Sequence, residues 1–145
     1  MIAIRPATET DLPQFLALLR HLQPRDPVPD LGKAQAAFAC MLAGDQNIVF
    51  LAVSGDTLAA SCTLTIIPNL TRNARPYAVI ENVVTDPNFR RQGLGHAVLH
   101  AAQQAAWDAD CYKIMLATGR PDLVPFYQAA GFVLGGKSFF EIRRP

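Results

Sequence analysis

Surplus charge is the first thing this sequence lacks. Thirteen Lys and Arg stand against twelve Asp and Glu, a net charge of +1 over 145 residues. The broad basic excess that draws a protein to phosphate backbones is missing, so no nucleic-acid partner is expected. Cysteine is scarce too: Cys40, Cys62 and Cys111 are odd in number, widely spaced and form no C-x-x-C pair. That excludes a disulfide framework and a zinc site, leaves no metal expected, and reads the three as small buried hydrophobes in a reducing cytoplasm. The longest charge-free stretches, 57–71 and 92–107, are too short and too polar for the ~20 apolar residues of a membrane span. Met1 to Phe15 contains Arg5, Glu9 and Asp11 and no apolar stretch of the kind a secretory signal needs, so a cytoplasmic location is expected.

Repeats, linkers and low-complexity runs are absent as well, which makes residues 1–145 one expected domain. Half of the residues are hydrophobic, enough for a real core. Ile2 to Arg5 is a strand candidate ended by Pro6. Thr10 or Asp11 can cap a helix with Leu12, Phe15, Leu16, Leu19 and Leu22 on one face. Asp30 can cap a second helix to Ala43, with Ala34, Phe38, Met41 and Leu42 as its inner stripe and Gly44 as its stop. Ile48 to Ser54 and Thr57 to Ile67 are β-rich runs around Gly55 and Asp56, the composition of a tight hairpin. Tyr77 to Thr85 is a further strand, and Leu94 to about Ala109 a long helix. Lys113 to Ala117 then reads as a strand, Leu123 to Ala130 as a helix stopped by Gly131, and Phe132 to Leu134 with Ser138 to Ile142 as a closing strand pair. The fold class expected is a mixed α/β sheet flanked by helices.

Between the fourth strand and the long helix lies R-R-Q-G-L-G, Arg90 to Gly95. Glycine at 93 and 95 lets the backbone approach a ligand, and the free N–H groups of a first helical turn carry the positive end of the helix dipole. Arg90 and Arg91 add local positive charge. A multiply charged anion such as a diphosphate fits this turn. A Walker loop needs Lys-Ser/Thr after its last glycine, and a dinucleotide fold places G-x-G-x-x-G at the first strand; neither is present.

These motifs resemble those of the GNAT superfamily of acyl-CoA-dependent N-acyltransferases. Arg90, Gly93 and Gly95 match its Arg/Gln-x-x-Gly-x-Gly/Ala after the fourth strand, preceded by V-V-T-D-P at Val83 to Pro87. F-Y-Q-A-A-G-F at Phe126 to Phe132 is similar to its F-Y-x-x-x-G-F. The resemblance implies a mostly antiparallel sheet whose fourth and fifth strands splay beside a β-bulge, and acetyl-CoA as co-substrate. Its pantetheine arm would lie along the backbone of Val83, Val84 and Thr85, and its pyrophosphate on Arg90, Arg91, Gln92, Gly93, Leu94, Gly95 and His96. Many relatives carry an Asn about six residues before the Phe-Tyr pair; here Arg120 stands there, and the open alternatives are that the contact is lost, is taken over by Asp122, or is made by the arginine to a phosphate.

Carried over in the same way, Glu81, in I-E-N-V-V-T, is the general base, at a position where relatives carry an acid in a similar I-E-x-x-x-V stretch, and Tyr127 is the acid that protonates the departing thiolate. Burial of Glu81 beside the thioester would raise its basicity. A solvent-facing residue, or one ion-paired with Arg72 or Arg75, is the competing reading of Glu81. Asn82 points to the opposite strand face unless a bulge turns it in. It is the secondary acceptor-site candidate, with Arg72 and Arg75 hinting at an anionic acceptor. The expected activity is N-acetylation of a small-molecule primary amine, such as an amino sugar or an anionic amine. Rival readings are a non-catalytic acyl-CoA-binding module and a peptide or protein N-acetyltransferase. A homodimer is common in the family.

Overall fold

Hydrophobic alternation and turn chemistry become five strands in a computed structural model that describes all 145 residues. Two compact units result, Met1–Met115 and Leu116–Pro145. The first holds β1 (Ile2–Pro6), α1 (Leu12–Leu19), α2 (Leu31–Leu42), β2 (Asn47–Ser54), β3 (Thr57–Ile67), β4 (Tyr77–Thr85), α3 (Leu94–Asp108) and β5 (Ile114–Met115). Its strands lie in the order β1-β2-β3-β4-β5; the first three pairings are antiparallel and β4–β5 is parallel. The β2–β3 hairpin turns on Gly55 and Asp56 as expected, with Ser54 opposite Thr57 and Gly55 at φ +59°. Asp30 caps α2 by accepting from the Lys33 amide at 3.0 Å.

Each sheet face carries its own core. On one side α1 and α2 bring Leu12, Phe15, Leu18, Ala34 and Phe38 onto Val49, Leu51, Leu58 and Val84. The Phe15 and Phe38 rings lie 5.6 Å apart. On the other side α3 buries Leu94, Val98, Leu99, Ala102 and Ala106. Cys62 Sγ donates to Val98 O at 3.3 Å, and burial pushes that thiol's pKa up to about 12. Cys111 is also buried, whereas Cys40 is exposed and so departs from the expectation for all three.

The second unit consists of a turn at Pro121–Leu123, the helix α4 (Val124–Ala129) and the following chain. The closing strand pair expected over Phe132 to Leu134 and Ser138 to Ile142 does not form. Gly135 and Gly136 both take left-handed φ, +94° and +92°, and a strand exists only where another lies beside it. Val133, Leu134, Phe139, Phe140 and Ile142 are left 70–98% exposed. β5 is likewise shorter than the expected 113–117, because only Ile114 and Met115 pair with β4. Within Pro68 to Pro76, Arg72, Asn73 and Ala74 have φ +55°, +60° and +58°, a left-handed turn unfavourable for residues bearing a Cβ.

The entry to α1 depends on Asp11, 8% exposed. Its carboxylate accepts from both terminal nitrogens of Arg5 at 2.8 Å and from the Thr8 amide at 2.7 Å. The Arg5 bonds, outweighing burial and aided by Thr8, hold its pKa down at about 2. A depressed folded-state pKa stabilises above the unfolded value near 4 and is lost as pH falls through about 2. Asp11→Ala is therefore expected to cost about 1–2 kcal/mol at pH 7, after screening at the half-exposed Arg5. Urea melts at pH 7 and pH 2 check this, since the difference should close at the lower pH.

Candidate active site

The ladder between β3 and β4 contains one extra residue. Glu81 lies opposite Thr63 and Val84 opposite Ser61, so two residues of β4, Asn82 and Val83, face the single Cys62. Asn82 takes φ +53°, a left-handed conformation that Asn tolerates better than most residues. This is a β-bulge, and it resets the alternation of β4. Cross-strand partners share a face, and so do Ser61 and Thr63, two residues apart on β3. Glu81 and Val84 therefore face the same side, the side of α1 and α2. In an unbroken strand they would face opposite sides.

Backbone direction follows from the same register. The Asp86 amide donates to Ala59 O at 2.8 Å, so Asp86 and Val84 address β3, and Val83 and Thr85 address the other edge. That edge is open, because β5 pairs only with Ala78 and Val79. Arg90 Nε donates to Thr85 O at 3.3 Å, which occupies that carbonyl, and Val83 is the edge-facing residue beside the bulge. Of Val83 and Val84, Val83 is the one whose amide faces the open edge.

Downstream, Arg91 and Gly93 take φ +62° and +78°. The first backbone bond into α3 is Ala97 N to Gly93 O at 3.0 Å. The amides of Gly93, Leu94 and Gly95 therefore have no acceptor in the chain. A Cβ built at Gly93 would meet nothing within 4 Å, so this glycine is required for its conformation and the space above it is open. Arg90, Arg91 and Gln92 are exposed, Leu94 and Gly95 buried, and His96 half-buried. No group of three or more His, Cys, Asp or Glu side chains is placed to hold a metal ion.

Glu81 is exposed rather than buried. Neither arginine pairs with it. Arg75 bonds Asp110 at 3.1 Å, and the Arg72 guanidinium lies over the Tyr112 ring, 5.6 Å from its centre. Lys113 stands over both Tyr77 and Tyr112, at 5.4 and 5.3 Å. Burial alone would push the Tyr112 hydroxyl pKa up, yet Lys113, Thr71 and Arg72 together hold it below its ordinary value. Tyr77 shares the strand face of Glu81, four residues and about 13 Å along β4. Sequence reasoning missed Tyr77, Tyr112 and Lys113; the Tyr-Lys dipeptide entering β5 was the available signal.

Tyr127 and Asp122 belong to the second unit. Tyr127 is 9% exposed, with its ring edge-on to Phe126 at 5.0 Å and to Phe132 at 6.2 Å. Gly131 at φ +98° closes α4 and returns Phe132 onto Tyr127, whose carbonyl accepts the Phe132 amide at 3.1 Å. The spacing of F-Y-x-x-x-G-F is thus the spacing of a helix end. Asp122 is tied to Arg120 at 2.7 Å.

Asn82 gives a direct test of the bulge. Asn82→Gly is expected to keep the folding free energy within a few tenths of a kcal/mol, whereas Asn82→Val should cost about 1–2 kcal/mol for a branched side chain at positive φ. Chemical denaturation of both variants checks the difference, and equal stabilities would remove the left-handed requirement.

Comparison with known proteins places the chain in a family. The family model described as "Acetyltransferase (GNAT) family" matches residues 15–132. Glucosamine 6-phosphate N-acetyltransferase of Trypanosoma brucei brucei is 34% identical over 131 residues, covering 90% of this chain and 88% of that protein. Glucosamine 6-phosphate N-acetyltransferase 1 of Oryza sativa subsp. japonica is 31% identical over 134 residues, covering 90% and 80%. A solved structure from Agrobacterium tumefaciens str. C58, provisionally named an acetyltransferase, superposes with a TM-score of 0.93 at 45% identity, over 98% of this chain and 99% of that one. With the family model spanning most of its length and curated relatives above 30% identity spanning nine-tenths of it, the chain belongs to the GNAT family of acetyltransferases.

Proposed function

We propose that this protein transfers the acetyl group of acetyl-CoA to the primary amine of a small anionic acceptor, a phosphorylated amino sugar being the class best supported. The observation that carries the reading is the β4 bulge. It sets an acidic side chain and an unpaired, edge-facing amide side by side, one loop away from an open row of helix N-terminal amides. GNAT acetyltransferases use acetyl-CoA, and the residues present fit it. The amides of Gly93, Leu94 and Gly95 beside exposed Arg90 and Arg91 suit a diphosphate. The open edge of β4 from Ile80 to Thr85 suits an arm carrying its own amides.

When bound, acetyl-CoA supplies an activated acyl carbonyl. The Val83 N–H would donate to the carbonyl oxygen as it gains charge, a role for which a fixed amide needs no reorganisation. Glu81 would take the proton of the attacking amine, directly or through a water. The Tyr127 hydroxyl would return a proton to the leaving thiolate. Thr85 and the 90–96 turn, with His96 in the first helical turn, would hold the nucleotide end, and Asn82 would line the acceptor side. For the acceptor, Arg72 and Lys113 have no carboxylate within salt-bridge distance, while Arg75 is already neutralised by Asp110. Lys113 stands over Tyr77, which shares the face of Glu81, and Arg72 over the neighbouring Tyr112, which favours an anionic group on the acceptor. The names of the curated relatives point to the same class.

A thiol-release assay with acetyl-CoA tests the reading. Glucosamine 6-phosphate should release thiol well above the rate for glucosamine or for a lysine peptide. Glu81→Gln should lower kcat about 10²-fold with acetyl-CoA affinity unchanged. Binding of acetyl-CoA without thiol release for any amine would instead support a binding module.

The assembly proposed is a homodimer. Five large apolar side chains of residues 133–142 stand in solvent, an area that a monomer rarely leaves uncovered, and a second copy of the chain offers the open edge of β5. Sedimentation should give a dimer at micromolar concentration, and the double variant Phe140→Asp/Ile142→Asp a monomer. A wild-type monomer would reject this assembly.

A further inference from the structure

On the sheet face covered by α1 and α2, β3 carries three hydroxyls in a row: Ser61, Thr63 and Thr65. Thr65 Oγ1 is satisfied by Asn47 Oδ1 at 2.8 Å. Ser61 Oγ and Thr63 Oγ1 are buried with no hydrogen-bond partner, in residues 0% and 6% exposed. Most buried hydroxyls in folded proteins have partners, because a donor left without one loses its hydration for nothing.

The register shows what surrounds each of them. Ser61 lies between Leu51 on β2 and Val84 on β4, both apolar. Thr63 lies between Val49 on β2 and Glu81 on β4. Glu81 is exposed, and its carboxylate accepts no bond from the chain. A buried donor without an acceptor and an acceptor without a donor are thus direct cross-strand neighbours on one face. Such a pair has Cβ atoms about 4.5–5.5 Å apart, within reach of a glutamate folded back over the sheet.

We propose that Thr63 is the positioning residue for Glu81: its hydroxyl donates to the carboxylate when that side chain turns inward, holding one oxygen while the other faces the amine. Acceptor docking drives the turn by stripping water from an exposed carboxylate, and the Thr63 bond replaces part of the lost hydration. The hydroxyl keeps its proton throughout. The inference rests on Glu81 acting as the base, and it adds the residue that aims it.

The test is a variant series assayed for turnover and melting temperature. Thr63→Val keeps the shape and removes the donor. It should lower kcat on the order of tenfold, the weight of one hydrogen bond to a charged acceptor. KM for acetyl-CoA should be unchanged and the melting temperature equal to or above that of the wild type. Thr63→Ser should restore turnover. Ser61→Ala, which removes an equally orphaned hydroxyl facing Val84, should leave kcat unchanged. Adding Thr63→Val to Glu81→Gln should cause no further loss, because the pair acts as one unit. Wild-type kcat in Thr63→Val, an equal loss in Ser61→Ala, or an undiminished loss when Thr63→Val is added to Glu81→Gln would each overturn the proposal. If Thr63→Val does not accumulate, Thr63→Ala is read by the same criteria. Full turnover in Glu81→Gln alone would remove the base itself, a failure distinct from that of Thr63.

Discussion

One inserted residue in β4 is the constraint on which the site depends. A regular strand would send Glu81 and Val84 to opposite faces and bind both edges of β4 evenly. With Asn82 in a left-handed conformation, Val84 joins the core under α1 and α2 while Glu81 stays on the same face. The Val83 peptide turns to an edge that β5 has already left. Strain of this kind persists only where the surroundings hold it. Here the hold comes from long antiparallel pairing on the β3 side, which continues on both sides of the bulge.

Charge is arranged locally on a chain that is almost neutral overall. Arg5, Arg75, Arg120 and Arg143 each have a carboxylate at 2.7–3.1 Å, so they add little field at a distance. Arg90 and Arg91 flank the open amides that follow β4, and Arg72 and Lys113 stack on tyrosines near its start. The two groups lie at opposite ends of one strand with Glu81 between them. That placement suits the proposed transfer between two anionic substrates, since each anion would be held away from the carboxylate.

Much of this was legible before any coordinates. The Gly55-Asp56 hairpin, the Asp30 cap and the glycine turn before α3 rest on local φ preferences and side-chain-to-backbone bonds, which act within a few residues. Other features needed the third dimension. Nothing in I-E-N-V-V-T marks an extra residue, because a bulge is defined by the partner strand. Phe132 to Ile142 reads as a strand pair by composition, yet it stays unpaired, because alternation measures suitability for a sheet and not the presence of a neighbour.

Sequence alone determined the mixed α/β class, the family resemblance and the glycine turn before α3, because these reside in residue type and spacing along a few bonds. Tertiary structure alone decided which peptide of β4 faces the open edge, that Glu81 stands in solvent opposite a buried, unpartnered Thr63, and that Arg75 is neutralised while Arg72 is not. Each of those facts depends on which distant segment lies alongside, and such contacts are set by the packing of the whole sheet.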